Sequence, residues 1–424
     1  MTASRSAVPR PDAHVHFGVF FQGVNHTTIW SDSASGSQID FETFRRLVLT
    51  AERGLFDAFF LGEGLRLREQ NGKILDLDIA GRPDAIAQLA ALAGITDKIG
   101  LVATQNTTYN EPADLARRLS GLDLLSGGRA GWNAVTTDNA WTGENFRRGG
   151  FLDHALRYER AGQFIETARA LWDSWADDAI SDSRTSEHWS TPGAVGDVRK
   201  QTSQFDISVT PTLPRSRQGH PVIFQAGDSP SGRDFAATHA DVIFSRHGTH
   251  FDGALDFAED IRARLRRAGR PEDDVKILPS TQIVLAENES EVEEKARWVL
   301  EGQFTGQTAL SLVGLVWGRI CPIETRTVHC PKKIRLPAPF PRHAVQRGTA
   351  TTPLRSRVNG GRSRRQRTCP CVRSPSRPRS VRVLRALPAR WPTSWCIGCA
   401  TERRTASTFR RTWCRPGWTR SSTG

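Results

Sequence analysis

The chain has 424 residues with 58 Lys and Arg against 45 Asp and Glu, but the basic excess is local: residues 320–424 hold 24 basic residues and only Glu324 and Glu402 as acids, a formal +22 that leaves −9 on residues 1–319. The length suits one large or two ordinary domains, and the acidic body excludes a folded basic domain as the source of the high isoelectric point. No segment approaches the length of a membrane span and MTASRSAVPRPDAHVHF has no apolar signal core, so no membrane partner is expected and the chain reads as cytoplasmic.

Residues 1–15 read as a flexible N-terminus. From His16 onward, short β-branched or aromatic runs alternate with amphipathic helical patterns, the signature of a parallel sheet with crossover helices. The first unit is HFGVFF with DFETFRRLVLTAERG, the second FDAFFLGE with RPDAIAQLAALAGIT, and the third KIGLVATQNT with EPADLARRLSGLDLLS. Gly54, Gly94 and Gly127 stand where helix stops belong. The fourth unit is RAGWNAVTT with HALRYERAGQFIETARALWDSW, followed by a polar insertion at about 176–220 with room for short strands of its own. Units five to seven are PVIFQAGD with SGRDFAATHA, ADVIFSRH with FDGALDFAEDIRARLRRAG, and KILPSTQIVLA with SEVEEKARWVLEG. Seven units predict an α/β fold of the TIM (β/α)8 type, spanning residues 16–319, with the eighth strand-helix unit missing.

The tail, residues 320–424, breaks this rhythm. It contains all seven cysteines, Cys321, Cys330, Cys369, Cys371, Cys396, Cys399 and Cys414, and no Asp. Cys396 and Cys399, in TSWCIGCATERR, have the spacing of a redox pair or half a zinc site. Translation one base out of register accounts for the composition instead. Shifted by one base, WPTSWCIGCATERRTAST is compatible with ADELVHWVRDGAADGIN, an amphipathic helix, a turn and the start of a strand; ICPIETRTVHCP is compatible with LSDRDPDGPLP. Two fragments in one common frame, behind a charge discontinuity, indicate the loss of a single base near Arg319 and Ile320. On this reading DGIN is the eighth strand, the tail is disordered or non-native, and neither cysteine has an evolved role. Nucleic-acid binding by the basic tail, the rival explanation, ranks last because the shift already explains the charge.

In a barrel of this type the active site lies at the carboxyl ends of the strands. Strand two carries Asp57 and runs into LGEG, strand three ends in ATQNTTYNEP with Thr104, and strand four ends in GWNAVTT. His154 and Tyr158, at i and i+4, share one helix face. Ser229 and Ser231, in AGDSPSGRD, precede a helix whose first turn favours phosphate. Each also has a plain structural use: Asp57 as a backbone anchor, Thr104 as a strand end, Ser229 or Ser231 as an N-cap, and His154 with Tyr158 as a hydrogen-bonded pair.

The strings VATQNTTYNEPADLARRLSGLDLLSGGRAGWNAVTT, FLDHALRYERA, FQAGDSPSGRDFAATHADVIFS and GQTALSLVGLVWGR closely resemble the flavin-dependent monooxygenases of the nitrilotriacetate and dibenzothiophene-sulfone monooxygenase family, which are luciferase-like barrels. The resemblance runs from about Phe17 to Arg319. It implies a monooxygenase that joins dioxygen and reduced FMN to oxygenate a small organic substrate of the xenobiotic, chelator or organosulfur class. The FMN would be supplied in trans by an NAD(P)H-dependent flavin reductase, and no GxGxxG dinucleotide unit is visible here. The family's flavin-contacting positions fall on Asp57, Thr104, His154, Tyr158 and Ser229. Ser229, helped by Ser231, is assigned to the phosphate, Asp57 and Thr104 to the polar edge or ribityl chain, and His154 with Tyr158 to catalytic positioning. No metal is expected, and a homo-oligomer is compatible with the sequence. The rival readings are a deazaflavin-dependent oxidoreductase and an inactive frameshifted remnant.

Overall fold

The structure, a computed structural model, describes residues 14–21, 29, 32–67, 69–70, 73–74, 82–137, 140–146, 154–180, 187–248, 250–303 and 396–399. In chain order its elements are β1 (Phe17–Phe21), α1 (Phe41–Arg53), β2 (Ala58–Leu61), the short pair β3 (Glu69–Gln70) and β4 (Lys73–Ile74), α2 (Ala85–Ala93), β5 (Gly100–Asn106), α3 (Pro112–Leu125), β6 (Ala130–Val135) and α4 (His154–Trp172). There follow the hairpin β7 (Val198–Gln201) and β8 (Asp206–Val209), then β9 (Val222–Gln225), α5 (Pro230–His239), β10 (Val242–Ser245), α6 (Phe251–Arg267), β11 (Lys276–Thr281), α7 (Glu289–Gln303) and β12 (Cys396–Cys399). Among the described residues, each of the seven units expected from the sequence supplies one barrel strand. The hairpin β7–β8 falls inside the polar insertion.

The barrel order is β1-β12-β11-β10-β9-β6-β5-β2, and the seven strands from the units pair in parallel wherever they adjoin. The sequence reading leaves the eighth place without a strand-helix unit of its own. That place is taken by Cys396–Cys399, which runs antiparallel to both β1 and β11. The physical reason is that an open edge on β1 and β11 presents unpaired N–H and C=O groups, which any extended backbone can satisfy whatever its side chains.

Helix starts and stops follow local chemistry. Asp84 caps α2 by accepting from the Ala87 N–H at 2.8 Å, Pro112 and Pro230 occupy first-turn positions of α3 and α5, and Gly54 closes α1 through a bond from its N–H to the Thr50 carbonyl at 3.0 Å. Gly127 adopts φ +70° just after α3, a conformation that glycine takes without strain.

Alternate residues of each strand face two different cores. Outward, Leu101, Trp132 and Phe59 pack with Leu89, Leu92, Leu115, Leu119 and Phe164 of the helices, and the Trp132 indole donates to the Gln105 carbonyl at 3.0 Å. Inward, Phe20, Phe60, Phe224 and Phe244 fill the barrel, with ring centroids 4.8 Å apart for Phe20–Phe60 and Phe60–Phe244 and 6.2–6.3 Å for Phe60–Phe224, Phe224–Phe244 and Phe20–Phe244. Gly131 faces the same interior, where an added Cβ would stand 3.0 Å from Val102 and 3.1 Å from Phe224. The interior is thus a packed plug, and a ligand is confined to one end of it.

At the amino ends of the strands, carboxylates hold backbone. Asp57 accepts from the Phe17 N–H at 2.7 Å, Asp241 from the Ile223 N–H at 2.7 Å and Asp123 from the Ala130 N–H at 2.9 Å. Glu52 accepts from the N–H groups of Asp97, Lys98 and Ile99 at 2.9, 2.6 and 3.0 Å.

Candidate active site at the carboxyl ends of the strands

Directly beyond the phenylalanine plug, Thr104 of β5 and Asn133 of β6 stand opposite each other in register. Each lies two residues past an inward-facing position, Val102 and Gly131, so strand alternation puts both on the inner face. Both are buried, and the Asn133 amide donates to the Thr104 hydroxyl at 3.1 Å. The Asn133 carbonyl oxygen, Oδ1, is buried without a hydrogen-bond partner. An unmatched buried acceptor costs about 1–3 kcal/mol, so its natural complement is a donor brought by a ligand.

The second group is at the β9–α5 turn. Ser229 caps α5 by accepting from the Gly232 N–H at 3.1 Å, and Ser231 is exposed in the first helical turn. Tyr158 of α4 reaches this turn: a Cβ on Gly232 would lie 2.9 Å from the Tyr158 hydroxyl, and its ring is 5.6 Å from that of Phe235. Gly227 and Gly232 approach so closely that a Cβ on Gly227 would be 3.0 Å from the Gly232 Cα. His154 is the first residue of α4, and its side chain lies outside the described residues.

The third group surrounds Glu63, just beyond β2. Asn106 donates to the Glu63 carboxylate at 3.2 Å, and Arg82 donates to its backbone carbonyl at 3.3 Å. Burial, together with the nearby charge of Asp84, pushes the Glu63 carboxyl up to about 7, against the lowering effects of Asn106 and Arg118. Asp84 itself accepts from Gln105 at 3.4 Å and from Arg118 at 3.1 Å.

Two buried arginines of α4 hold the surrounding loops. Arg160 donates to the Thr107 and Asn110 carbonyls, both at 2.9 Å, and stacks on Phe205, while Arg157 donates to the Thr137 carbonyl. The loops after β5 and β6 are therefore pinned to one helix, which fixes the mouth in which Thr104 and Asn133 sit.

The structure brings Thr104, Tyr158, Ser229 and Ser231 to the carboxyl ends of the strands but leaves Asp57 at the other end. Asp57 precedes β2, which runs parallel to β1 with Ala58 opposite Gly18, so its carboxylate meets the Phe17 N–H and, at 3.3 Å, His16. The backbone-anchor alternative is the one the geometry supports. The carboxylate that does stand at the mouth on β2 is Glu63, six residues on. The signal was legible, because FFLGE ends a β-run whereas Asp57 begins one. Also unnamed in the sequence reading are Asn106, which ends β5, and Asn133, inside β6.

The match that decides the family covers residues 15–318, to the model described as luciferase-like monooxygenase. The chain belongs to the luciferase-like monooxygenase family. Among curated luciferase-like relatives it is 37% identical over 264 residues to nitrilotriacetate monooxygenase component A of Aminobacter aminovorans, covering 60% of this chain and 58% of the relative. It is 34% identical over 295 residues to dibenzothiophene-sulfone monooxygenase of Rhodococcus erythropolis strain XP, covering 67% and 65%. The chain thus matches less than two thirds of the length of these relatives. Among solved structures, riboflavin lyase crystallised with modified FMN and riboflavin matches with a TM-score of 0.66 at 29% identity, over 71% of this chain and 69% of that one. Among the described residues, no group of three or more His, Cys, Asp or Glu could hold a metal, and no helix is long and apolar enough to cross a membrane.

Proposed function

We propose that this luciferase-like chain is a monooxygenase that binds reduced FMN, supplied in trans by a flavin reductase, at the carboxyl ends of its strands and oxygenates a small organic substrate of the xenobiotic, chelator or organosulfur class. The observation that carries the reading is the unmatched Asn133 Oδ1 above the phenylalanine plug. A flat ring with edge N–H groups supplies the donor this oxygen lacks, and the aromatic floor offers that ring an apolar seat. The glycine approach at Gly227 and Gly232, with Ser229 and Ser231 in the α5 turn, suits the phosphate. The component designation of the nitrilotriacetate relative is in keeping with a separate reductase.

When bound, reduced flavin supplies the electrons that activate dioxygen. The chain's own residues orient and enclose. Thr104 and Asn133 would hold the ring and Tyr158 with the α5 turn would hold the far end, while the loops pinned by Arg157 and Arg160 would limit water. Glu63, with its raised pKa, can hold or release a proton at its carboxyl near neutral pH. His154 is assigned to the same mouth by its place at the start of α4.

The reading extends to the tail. Residues 320–424 are assigned to a shifted frame, with a single base lost near Arg319, and three observations support this: the family match stops at residue 318, the eighth barrel place is held by an antiparallel strand, and α7 buries none of its residues. The test is to titrate FMN and, separately, a deazaflavin into the chain as written and into the single-base-restored chain, then assay oxygenation with a flavin reductase present. FMN binding and reductase-dependent oxygenation by the restored chain are expected. A preference for deazaflavin, or FMN binding by neither chain, contradicts the reading.

A further inference from the structure

The carboxyl end of β10 carries a charged cluster that the reading above does not use. His247, two residues past β10, contacts Asp228 of the β9–α5 turn through Nε2 at 3.1 Å, and the same Asp228 oxygen accepts from Arg233 at 2.9 Å. Arg233 is divided: it also donates to the Asp228 carbonyl at 3.2 Å and to Asp260 of α6 at 2.9 Å. His247 and Arg233 both lie on Phe257 of α6, with the His247 ring centroid 5.0 Å away and the guanidinium carbon 4.7 Å away. The turn after His247 is fixed, because a side chain on Gly248 would overlap the Ser280 carbonyl. His247 and Asp228 are each about one-third exposed, so the pair is open to solvent on one side.

Asp228 immediately precedes Ser229. An ionised carboxylate in that position repels a phosphate at the α5 turn, and Arg233, shared with Asp260, offsets it only in part. Burial alone would raise the Asp228 pKa, but the hydrogen bonds from His247 and Arg233 outweigh it and hold the carboxylate ionised. The remaining compensation rests with the imidazole. With Asp228 accepting at Nε2, that nitrogen carries a proton in both states, and a second proton at Nδ1 adds a full positive charge beside the turn.

We infer that His247, acting through Asp228, is a positioning residue for the phosphate end of the flavin, and that its protonation favours the phosphorylated flavin, FMN, over riboflavin. The inference rests on the FMN reading. The charged and titratable groups around His247 are Asp228 from the β9–α5 turn, Arg233 from α5, Asp260 and Arg264 from α6, and Arg246, His250 and Asp252 along its own connection. Of these groups His247 and His250 are the imidazoles, the side chains that change charge in this pH range, and of the two His247 is the one in contact with Asp228. The affinity for FMN therefore falls as pH rises.

The test is a set of FMN and riboflavin titrations of the full chain from pH 5.5 to pH 8, comparing wild type, His247→Gln and Asp228→Asn. In wild type the preference for FMN over riboflavin is expected to fall roughly ten-fold across this range, the scale of one compensating charge. The phosphate's own ionisation acts equally on all three proteins, so the difference between them isolates the imidazole. His247→Gln keeps a donor toward Asp228 but cannot gain charge, and its fall should shrink to about two-fold. Asp228→Asn removes the repulsion and should raise the preference at pH 8. An unchanged pH dependence in His247→Gln overturns the inference while leaving the FMN reading intact. Absence of FMN binding at every pH by the unsubstituted protein, both as written and with the single base restored, overturns both.

Discussion

The two ends of the barrel use the same residue types to opposite effect. At the amino ends, carboxylates are fully engaged: Glu52 takes three backbone N–H groups, and Asp57, Asp123 and Asp241 each take one. At the carboxyl ends, polar groups are left wanting: Asn133 Oδ1 has no partner, and Glu63 is crowded by burial and by Asp84. One end is satisfied within the fold, whereas the other keeps unsatisfied groups, as the proposed flavin site requires.

Glu52 and Glu63, one from each end, are expected to show opposite pH behaviour. The Glu52 carboxyl is held low: burial opposes ionisation, but hydrogen bonds from Lys98, Ile99 and Asp97 and the charge of Arg129 prevail. Its stabilisation is present above the ordinary carboxylate range and lost as pH falls through the depressed value. Glu52→Ala should therefore cost about 2–3 kcal/mol at pH 7, as for a charged acceptor serving several N–H groups, with the loss fading in acid and FMN affinity unchanged. Urea unfolding at pH 7 and pH 3 checks it.

Glu63 has the reverse sign. Its folded pKa is raised from 4.5 to about 7, so the contribution it makes is present below 4.5 and lost as pH rises toward 7. Glu63→Gln should gain on the order of 1–2 kcal/mol of stability at pH 8 relative to wild type, and nothing at pH 4. Parallel urea series at the two pH values separate these outcomes.

Asn133→Leu sharpens the comparison at a single site. Removal of an unmatched acceptor should leave stability unchanged or raise it by about 1 kcal/mol, while FMN affinity falls roughly ten-fold. A group that serves only packing would move both in the same direction. The smallest effect is expected for Asp57→Ala, where the exposed contacts to the Phe17 N–H and to His16 are lost: about 1 kcal/mol of stability and no change in FMN affinity.

Much of this was legible in the sequence because strand and helix periods differ and glycine and proline mark the ends. The runs containing Phe20, Phe60, Val102, Phe224 and Phe244 all became barrel strands. The site was legible to the extent that it followed the rule that strand ends carry chemistry. Thr104 lies toward the carboxyl end of β5, whereas Asp57 stands just before β2, so the two differ in direction along their strands and not in residue type. Asn133 was missed because an unmatched oxygen is a property of its neighbours: the Thr104 hydroxyl takes the amide, and nothing takes the carbonyl. His247 was missed for a similar reason, since Asp228 and Phe257 reach it from other units. The occupant of the eighth barrel place was not legible at all, because Cys396–Cys399 pairs through its backbone and no side-chain pattern announces it. The amphipathic pattern of α7 predicted a packed helix, yet none of its residues is buried and Trp298 is half exposed. A helix packs only where its neighbour in the ring is present.

The most direct test of the central claim is a fluorescence-quenching titration of FMN into wild type, Asn133→Leu and Asp57→Ala. Binding by wild type and Asp57→Ala with equal affinity, and a roughly ten-fold loss in Asn133→Leu, is the predicted result. Equal binding by Asn133→Leu and wild type, or a loss confined to Asp57→Ala, would place the flavin elsewhere and contradict the account.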